Sequence, residues 1–242
     1  MIEDDPRVCY INSDSTVGRV AEAMKKYPDR VLDTGIQEMN MVTVAAGLAK
    51  EGFIPFVQTF GPFLCVRALD QIHNDVCYND FPVRLIGTHA GLSSGYGPTH
   101  NTIIEFGIMN ALPNMTMVAP CDANQAKKLL RASLDYPGPI YIRIPRGEEP
   151  AVYAEDYDYK YEIGKAIVLP GDIVYGAGGG VLFIPSHLVQ EDVEGAAKTH
   201  VKDDFGFEMI CQGKFTTAQI DRNTWTEEMH LRSWERDWPR QS

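Results

Sequence analysis

Basic side chains are scarce in this 242-residue chain: 22 Lys and Arg stand against 33 Asp and Glu, a formal charge of -11. That balance argues against a nucleic-acid surface and against attraction to anionic membranes, while leaving room for a local basic pocket that holds phosphates. Cysteine is sparse as well. The five thiols, Cys9, Cys65, Cys77, Cys121 and Cys211, form no C-x-x-C pair and no cluster with histidine, so reduced structural thiols are expected rather than a disulfide framework or a metal site. No apolar run approaches the roughly 18 residues of a spanning helix. The acidic start MIEDDPRVCYINSD has no signal-peptide apolar core, and a cytoplasmic location is expected. What is present, 44% hydrophobic and 23% charged residues, is ordinary for a globular protein able to bury a proper core.

The stretch from Asp33 to Gln71 is the most informative. RVLDTG reads as a strand, and Thr34 with Gln37 makes a T-x-x-Q capping box that starts a helix, with Glu38 in its first turn. Met39 to Lys50 is apolar nearly all round, the composition of a buried helix. FIPFVQTF follows as a strand, and after Gly61 and Pro62 a helix is expected over Phe63 to Cys77. By itself, Glu38 reads as a carboxylate complementing the positive end of a helix macrodipole, an effect of about 0.3–1 kcal/mol.

Elsewhere strands and helices alternate. VCYINSD, PVRLIGT, MTMVAP and PIYIRIP read as strands, with helices over VGRVAEAMKKYP, near Thr102 to Asn110 and after MTMVAP. Such alternation predicts an α/β fold, a mostly parallel sheet with helices on both faces. A ligand then lies beyond the carboxyl ends of the strands. Those ends carry Thr59, Phe60, His89 and Arg146, and two of the six histidines, His89 and His100, bracket one loop containing Ser93, Ser94, Tyr96 and Thr99.

The segment GIQEMN followed by TFGPF, and the loop GTHAGLSSGYGPTHNTIIE, closely resemble the pyrimidine-binding domain of the transketolase family, which includes deoxyxylulose phosphate synthases and split two-subunit transketolases. The resemblance covers about residues 1–168. It implies that Glu38 hydrogen-bonds the aminopyrimidine of thiamine diphosphate, with Phe60 and Phe63 packed on that ring. A carboxyl sharing a proton with the ring favours the imino tautomer, which demands a raised pKa. Desolvation by Met39, Phe60 and Phe63 is expected to outweigh the helix dipole. The resemblance further implies that His89 and His100 face the substrate as catalytic residues and that Arg146 holds a sugar phosphate, to which a guanidinium can fork. Arg143 is expected to be directed elsewhere, and Glu105 stays outside the catalytic set, in a helix-face or ion-pair role. Tyr96 departs from the pattern: many transketolases carry an acidic residue before the glycine of this loop. The N-terminus is short of the family's first helix.

No G-D-G...N motif for the diphosphate and its magnesium occurs in the chain. The expected activity, transfer of a two-carbon ketol unit between sugar phosphates, therefore requires a separate diphosphate-binding subunit that holds Mg²⁺, in a homo- or hetero-oligomer. The chain alone is expected to be inactive, with no metal of its own and no nucleic-acid or membrane partner.

Residues 169–242 change character. PGD, GVLFIP, FGFEMICQGKFTTAQID and the tryptophan-rich end resemble the C-terminal part of the RraA-like family, which includes class II pyruvate aldolases. YGAGGGVLF reads as a hairpin rather than a nucleotide loop, lacking the strand, G-x-G-x-x-G and helix order. The rest of this short α+β tail is expected to be helical over Ser186 to Asp203 and Thr224 to Trp238, giving packing or oligomer surface. Two rival readings stand beside the enzyme component. One is a noncatalytic, degenerate fusion acting in assembly. The other is an RraA-like aldolase or lyase fragment, against which the absence of that family's Arg-Asp loop counts.

Overall fold

A computed structural model describes residues 1–14, 17–91, 96–146, 151–155 and 161–164, then 173–177, 180–184, 189–190, 193–194, 208 and 211–214. The chain divides into two compact units, Met1–Ala166 and Ile167–Ser242. The first is built on a six-stranded sheet of β1 (Val8–Asn12), β2 (Val31–Asp33), β3 (Ile54–Phe60), β4 (Arg84–Thr88), β5 (Thr116–Val118) and β6 (Ile140–Arg143). Every pairing is parallel, in the order β2-β1-β3-β4-β6-β5.

Alternation of side chains along the strands feeds two cores. One gathers Ile11, Val57, Leu85 and Tyr141 with Met41, Ala45 and Ala49 of helix α2 (Glu38–Lys50). The other gathers Val8, Phe56, Ile86, Ile140 and Ile142 with Leu129 of helix α5 (Ala123–Ala132). Helix α1 (Val17–Lys26) links β1 to β2, and α4 (Glu105–Asn110) precedes β5. The α/β fold with a parallel sheet is thus as expected.

Local expectations are corrected in four places. The Thr34/Gln37 capping box does not form. Gln37 precedes α2 without a side-chain cap, because Gly35 takes a left-handed φ of 69° and the turn is closed by its N–H donating to Asp33 Oδ1 at 2.7 Å, while Thr34 Oγ1 donates to Asn12 O. Second, α2 is buried on one face only, and Met39 is 49% exposed. Third, the helix over Phe63 to Cys77 is not continuous: wide π-type turns at Phe63–Arg67 and Ile72–Cys77 flank the short α3 (Leu69–Gln71). Finally, α4 starts at Glu105 rather than Thr102, which pairs its backbone with Gly91 instead.

In the second unit β7 (Ile173–Ala177) and β8 (Gly180–Ile184) pair antiparallel, the hairpin read from YGAGGGVLF. Of the tail helices expected over Ser186 to Asp203 and Thr224 to Trp238, residues 189–190 and 193–194 are helical; the remainder lies outside the described residues. Among the described residues no helix is long and apolar enough to cross a membrane.

Candidate functional site

The polar and aromatic residues singled out in the sequence converge at the carboxyl ends of β3 and β4. β3 delivers Phe60, and the chain then turns at Gly61, where a Cβ would come within 2.9 Å of Thr102 Cγ2; only glycine lets the two segments approach so closely. The π-type turn that follows carries Phe63 back over Phe60, ring centroids 5.8 Å apart and 11° from parallel. These half-buried rings form an aromatic ledge.

His89 follows β4 with φ of 56°, a conformation that non-glycine residues adopt rarely and that clusters at functional sites. The turn lays its imidazole 4.1 Å from the Phe60 centroid, with Nδ1 3.1 Å from Thr88 Oγ1. After Gly97, a 3-10 turn over Pro98–His100 sets His100 edge-on to both Phe60 and Phe63, at 5.5 and 5.0 Å. Its Nδ1 lies 2.9 Å from Thr99 Oγ1. Tyr96 closes the group, 5.5 Å from the His100 ring, and the exposed Arg146 brings its guanidinium to 5.8 Å from the Tyr96 ring.

Glu38 is 2% exposed at the start of α2. Its surroundings are not the apolar pocket expected. Met39 turns outward, and Arg67 Nη1 donates to Glu38 Oε2 at 2.8 Å while its guanidinium carbon sits 4.4 Å from the Phe63 centroid. A chain of contacts therefore runs from Glu38 through Arg67, Phe63 and Phe60 to both histidines, Tyr96 and Arg146. All six residues proposed from the sequence belong to it. Arg67 and Tyr96 are additions. Arg67 stands four residues after Phe63, a spacing that brings helical side chains together and could have drawn attention to it. Ser93 and Ser94 fall outside the described residues. Among the described residues, no three His, Cys, Asp or Glu side chains group as metal ligands.

Large apolar side chains are exposed beside these elements in the chain: Ile36 and Met39 by Glu38, Val66 by Arg67, and Ile103, Ile104 and Phe106 just after His100. A flat half-buried aromatic ledge, with a buried carboxylate at one side and a guanidinium at the other, suits a planar heteroaromatic ring next to an anionic substrate.

Fold and ledge define an α/β domain of the doubly wound type whose aromatic and polar side chains gather at the strand carboxyl ends. The model of the transketolase pyrimidine-binding domain matches residues 1–150, and the chain belongs to that family. It is 35% identical over 192 residues to an apulose-4-phosphate transketolase subunit of Actinobacillus succinogenes, covering 77% of this chain and 58% of that protein. Against the 1-deoxy-D-xylulose-5-phosphate synthase of Dictyoglomus turgidum it is 39% identical over 161 residues, 66% of this chain and 26% of that enzyme. Among solved structures, a split gene transketolase in the form of an inactive beta4 tetramer is similar, with 34% identity and a TM-score of 0.61, over 69% of this chain and 53% of that one. The chain thus spans between a quarter and three fifths of the length of these relatives. The family match stops at residue 150, so the RraA-like resemblance of residues 170–242 lies outside it.

Proposed function

We propose that this chain is the pyrimidine-binding subunit of a thiamine diphosphate-dependent transketolase that moves a two-carbon ketol unit between sugar phosphates. The observation that carries the reading is the buried Glu38 carboxylate joined through Arg67 to the stacked Phe60 and Phe63 rings. These residues fit an aminopyrimidine: the ledge offers stacking and the carboxylate a partner for a ring nitrogen. Bound thiamine diphosphate supplies the carbon nucleophile that accepts the two-carbon unit. Glu38 holds the proton shared with the ring, and Arg67, which carries the carboxylate in the chain by itself, exchanges for that contact. His100, its Nδ1 engaged by Thr99, presents Nε2 to a sugar hydroxyl, with His89 beside it, and Arg146 grips the phosphate.

A second polypeptide supplies the diphosphate and Mg²⁺ site, for which the sequence has no G-D-G...N motif. Exposed Ile36, Met39, Val66, Ile103, Ile104 and Phe106 support such docking, since apolar surface of this kind marks interaction sites. The relative from Actinobacillus succinogenes is itself a transketolase subunit, and the similar solved structure is an inactive tetramer; likewise the chain alone is inactive. Residues 1–168 supply this chain's share of the active site, and residues 169–242 contribute to assembly.

The test is calorimetric titration of thiamine diphosphate with Mg²⁺ into the chain alone and into its mixture with a diphosphate-domain partner, with Glu38→Gln as the control. Binding and ketol transfer only in the mixture, with transfer lost in the variant, support the reading. No binding in either case would transfer support to a noncatalytic assembly role.

A further inference from the structure

Beneath the ledge lies a second, buried group that the proposed chemistry does not use. Glu105, at the first position of α4, has no exposed surface. One of its oxygens, Oε1, accepts from Arg143 Nε at 2.7 Å, and the other, Oε2, accepts from Thr102 Oγ1 at 3.0 Å. Each partner leads to a different part of the site. Thr102 exchanges backbone bonds with Gly91 in both directions, at 2.8 and 3.1 Å, so it ties together the two ends of the loop that runs between His89 and His100. The Thr102 methyl faces Gly61, between Phe60 and Phe63, and its hydroxyl lies 3.9 Å from Cys65 Sγ. Arg143 ends β6 three residues before Arg146, and its guanidinium packs under the same loop, where a Cβ on Gly91 would meet Nη2 at 3.4 Å.

We propose that Glu105 is a positioning residue: its carboxylate braces the histidine loop, the aromatic turn and the strand leading to Arg146 against one another, and so sets where a sugar phosphate binds. A buried carboxylate keeps its charge only where cation and hydrogen bond meet it, so the geometry of this junction is narrowly specified. The brace holds the loop and β6 but does not touch Glu38 on α2. Its loss is therefore expected to affect the sugar phosphate more than the cofactor. This consequence rests on the transketolase reading; the brace itself does not.

The experiment separates the two. In the full chain, the imidazole C2–H resonances of His89 and His100 are followed by NMR in the natural protein, Glu105→Ala, Glu105→Gln and Arg143→Met, with folding checked by circular dichroism. In the complex with a diphosphate-domain partner, kcat and KM are measured for fructose 6-phosphate as donor with an aldose phosphate present in excess to accept the two-carbon unit, together with the Kd for thiamine diphosphate. Glu105→Ala and Arg143→Met are expected to displace both histidine resonances and to lower kcat/KM by about a hundredfold, the scale of a misplacement near 1 Å, mostly through KM and with the cofactor Kd unchanged. Glu105→Gln, whose amide oxygen can accept from Arg143 while its NH2 donates to the Thr102 hydroxyl, keeps both contacts with the second one reversed and is expected to restore the resonances. Folded Glu105→Ala protein with natural histidine signals and KM overturns the proposal. If Glu105→Ala does not fold, Thr102→Val removes one arm alone and must still move the His100 signal. Absence of turnover in the natural complex counts against the transketolase reading, and the histidine signals then decide the brace.

Discussion

β4 begins and ends in polar residues, and the two ends are built on opposite principles. At its start Arg84 has no exposed surface, and its two terminal guanidinium nitrogens donate to backbone carbonyls, those of Gly138 at 2.8 Å, Ser133 and Tyr136, while its Nε finds no partner among the described residues. These carbonyls lie just beyond α5, where a cation complements the negative end of the helix dipole. At the other end the partly exposed cation Arg143, on neighbouring β6, meets a buried side chain, Glu105, which in turn holds a loop. Backbone acceptors make the first junction rigid and purely architectural. Side-chain acceptors make the second one able to place a ligand, and also easier to disturb.

The largest effect should come from breaking the architectural end. Arg84→Met takes the guanidinium away from the carbonyls of Gly138 and Tyr136, and from that of Ser133, which keeps the Tyr136 N–H at 3.2 Å; a buried carbonyl left unmet costs about 1–3 kcal/mol. A loss of several kcal/mol in urea unfolding is expected, with the KM of any remaining folded protein unaltered. A change confined to KM would show that the two ends are not separate in the way described.

Next in size is the middle of the strand. A Cβ on Gly87 would lie 2.1 Å from Tyr141 Oη, so Gly87→Ala overpacks the core, by about 1–3 kcal/mol. Tyr141 Oη is buried and, among the described residues, finds no hydrogen-bond partner. Tyr141→Phe is accordingly expected to be neutral or slightly stabilising, since it removes an unmet polar group. Combined with Gly87→Ala it should recover part of the loss; strict additivity in thermal unfolding would show that the clash is relieved elsewhere.

Smaller again in its cost to stability is Arg146→Ala, at an exposed position of the functional end. Its stability effect should stay within about 0.5 kcal/mol. Loss of a charged hydrogen bond to phosphate, about 1.5–3 kcal/mol, corresponds to roughly a ten- to hundredfold rise in KM for the sugar phosphate. An unchanged KM would remove Arg146 from the phosphate site.

Legibility from sequence follows the same division. Phe60, His89 and Arg146 could be read because a parallel sheet brings strand ends together whatever the intervening loops do, and His100 because it closes the loop that His89 opens. Phe63 could be read from its spacing to Phe60 in a familiar motif. Arg67 left one clue, its spacing of four from Phe63, but its contact with Glu38 could not be read, because it is made from a π-type turn that sequence periodicity does not announce. The false capping box at Thr34 arose because residue types alone do not reveal that Gly35 turns left-handed. Glu105 and Arg143 lie 38 residues apart, so either a surface or a buried-pair role was open until the fold closed.

The finest comparison uses two thiols, one toward each end of the sheet. Cys9, second residue of β1, and Cys65, beneath the ledge, are both buried, and burial pushes each thiol up to about 11 from an ordinary 9.0. Since the folded pKa is raised, the stability tied to each thiol is fully present below about pH 9 and is lost as pH rises toward 11, where the unfolded chain has already released its protons. At pH 8 neither thiol should be alkylated in the native protein, because the reactive species is the thiolate. Glu105→Ala should change this for Cys65, whose neighbour Thr102 is released, and leave Cys9 protected. Mass-spectrometric footprinting with iodoacetamide reads both sites in one sample. Equal labelling of the two would mean that the variant opens the whole sheet rather than its functional end.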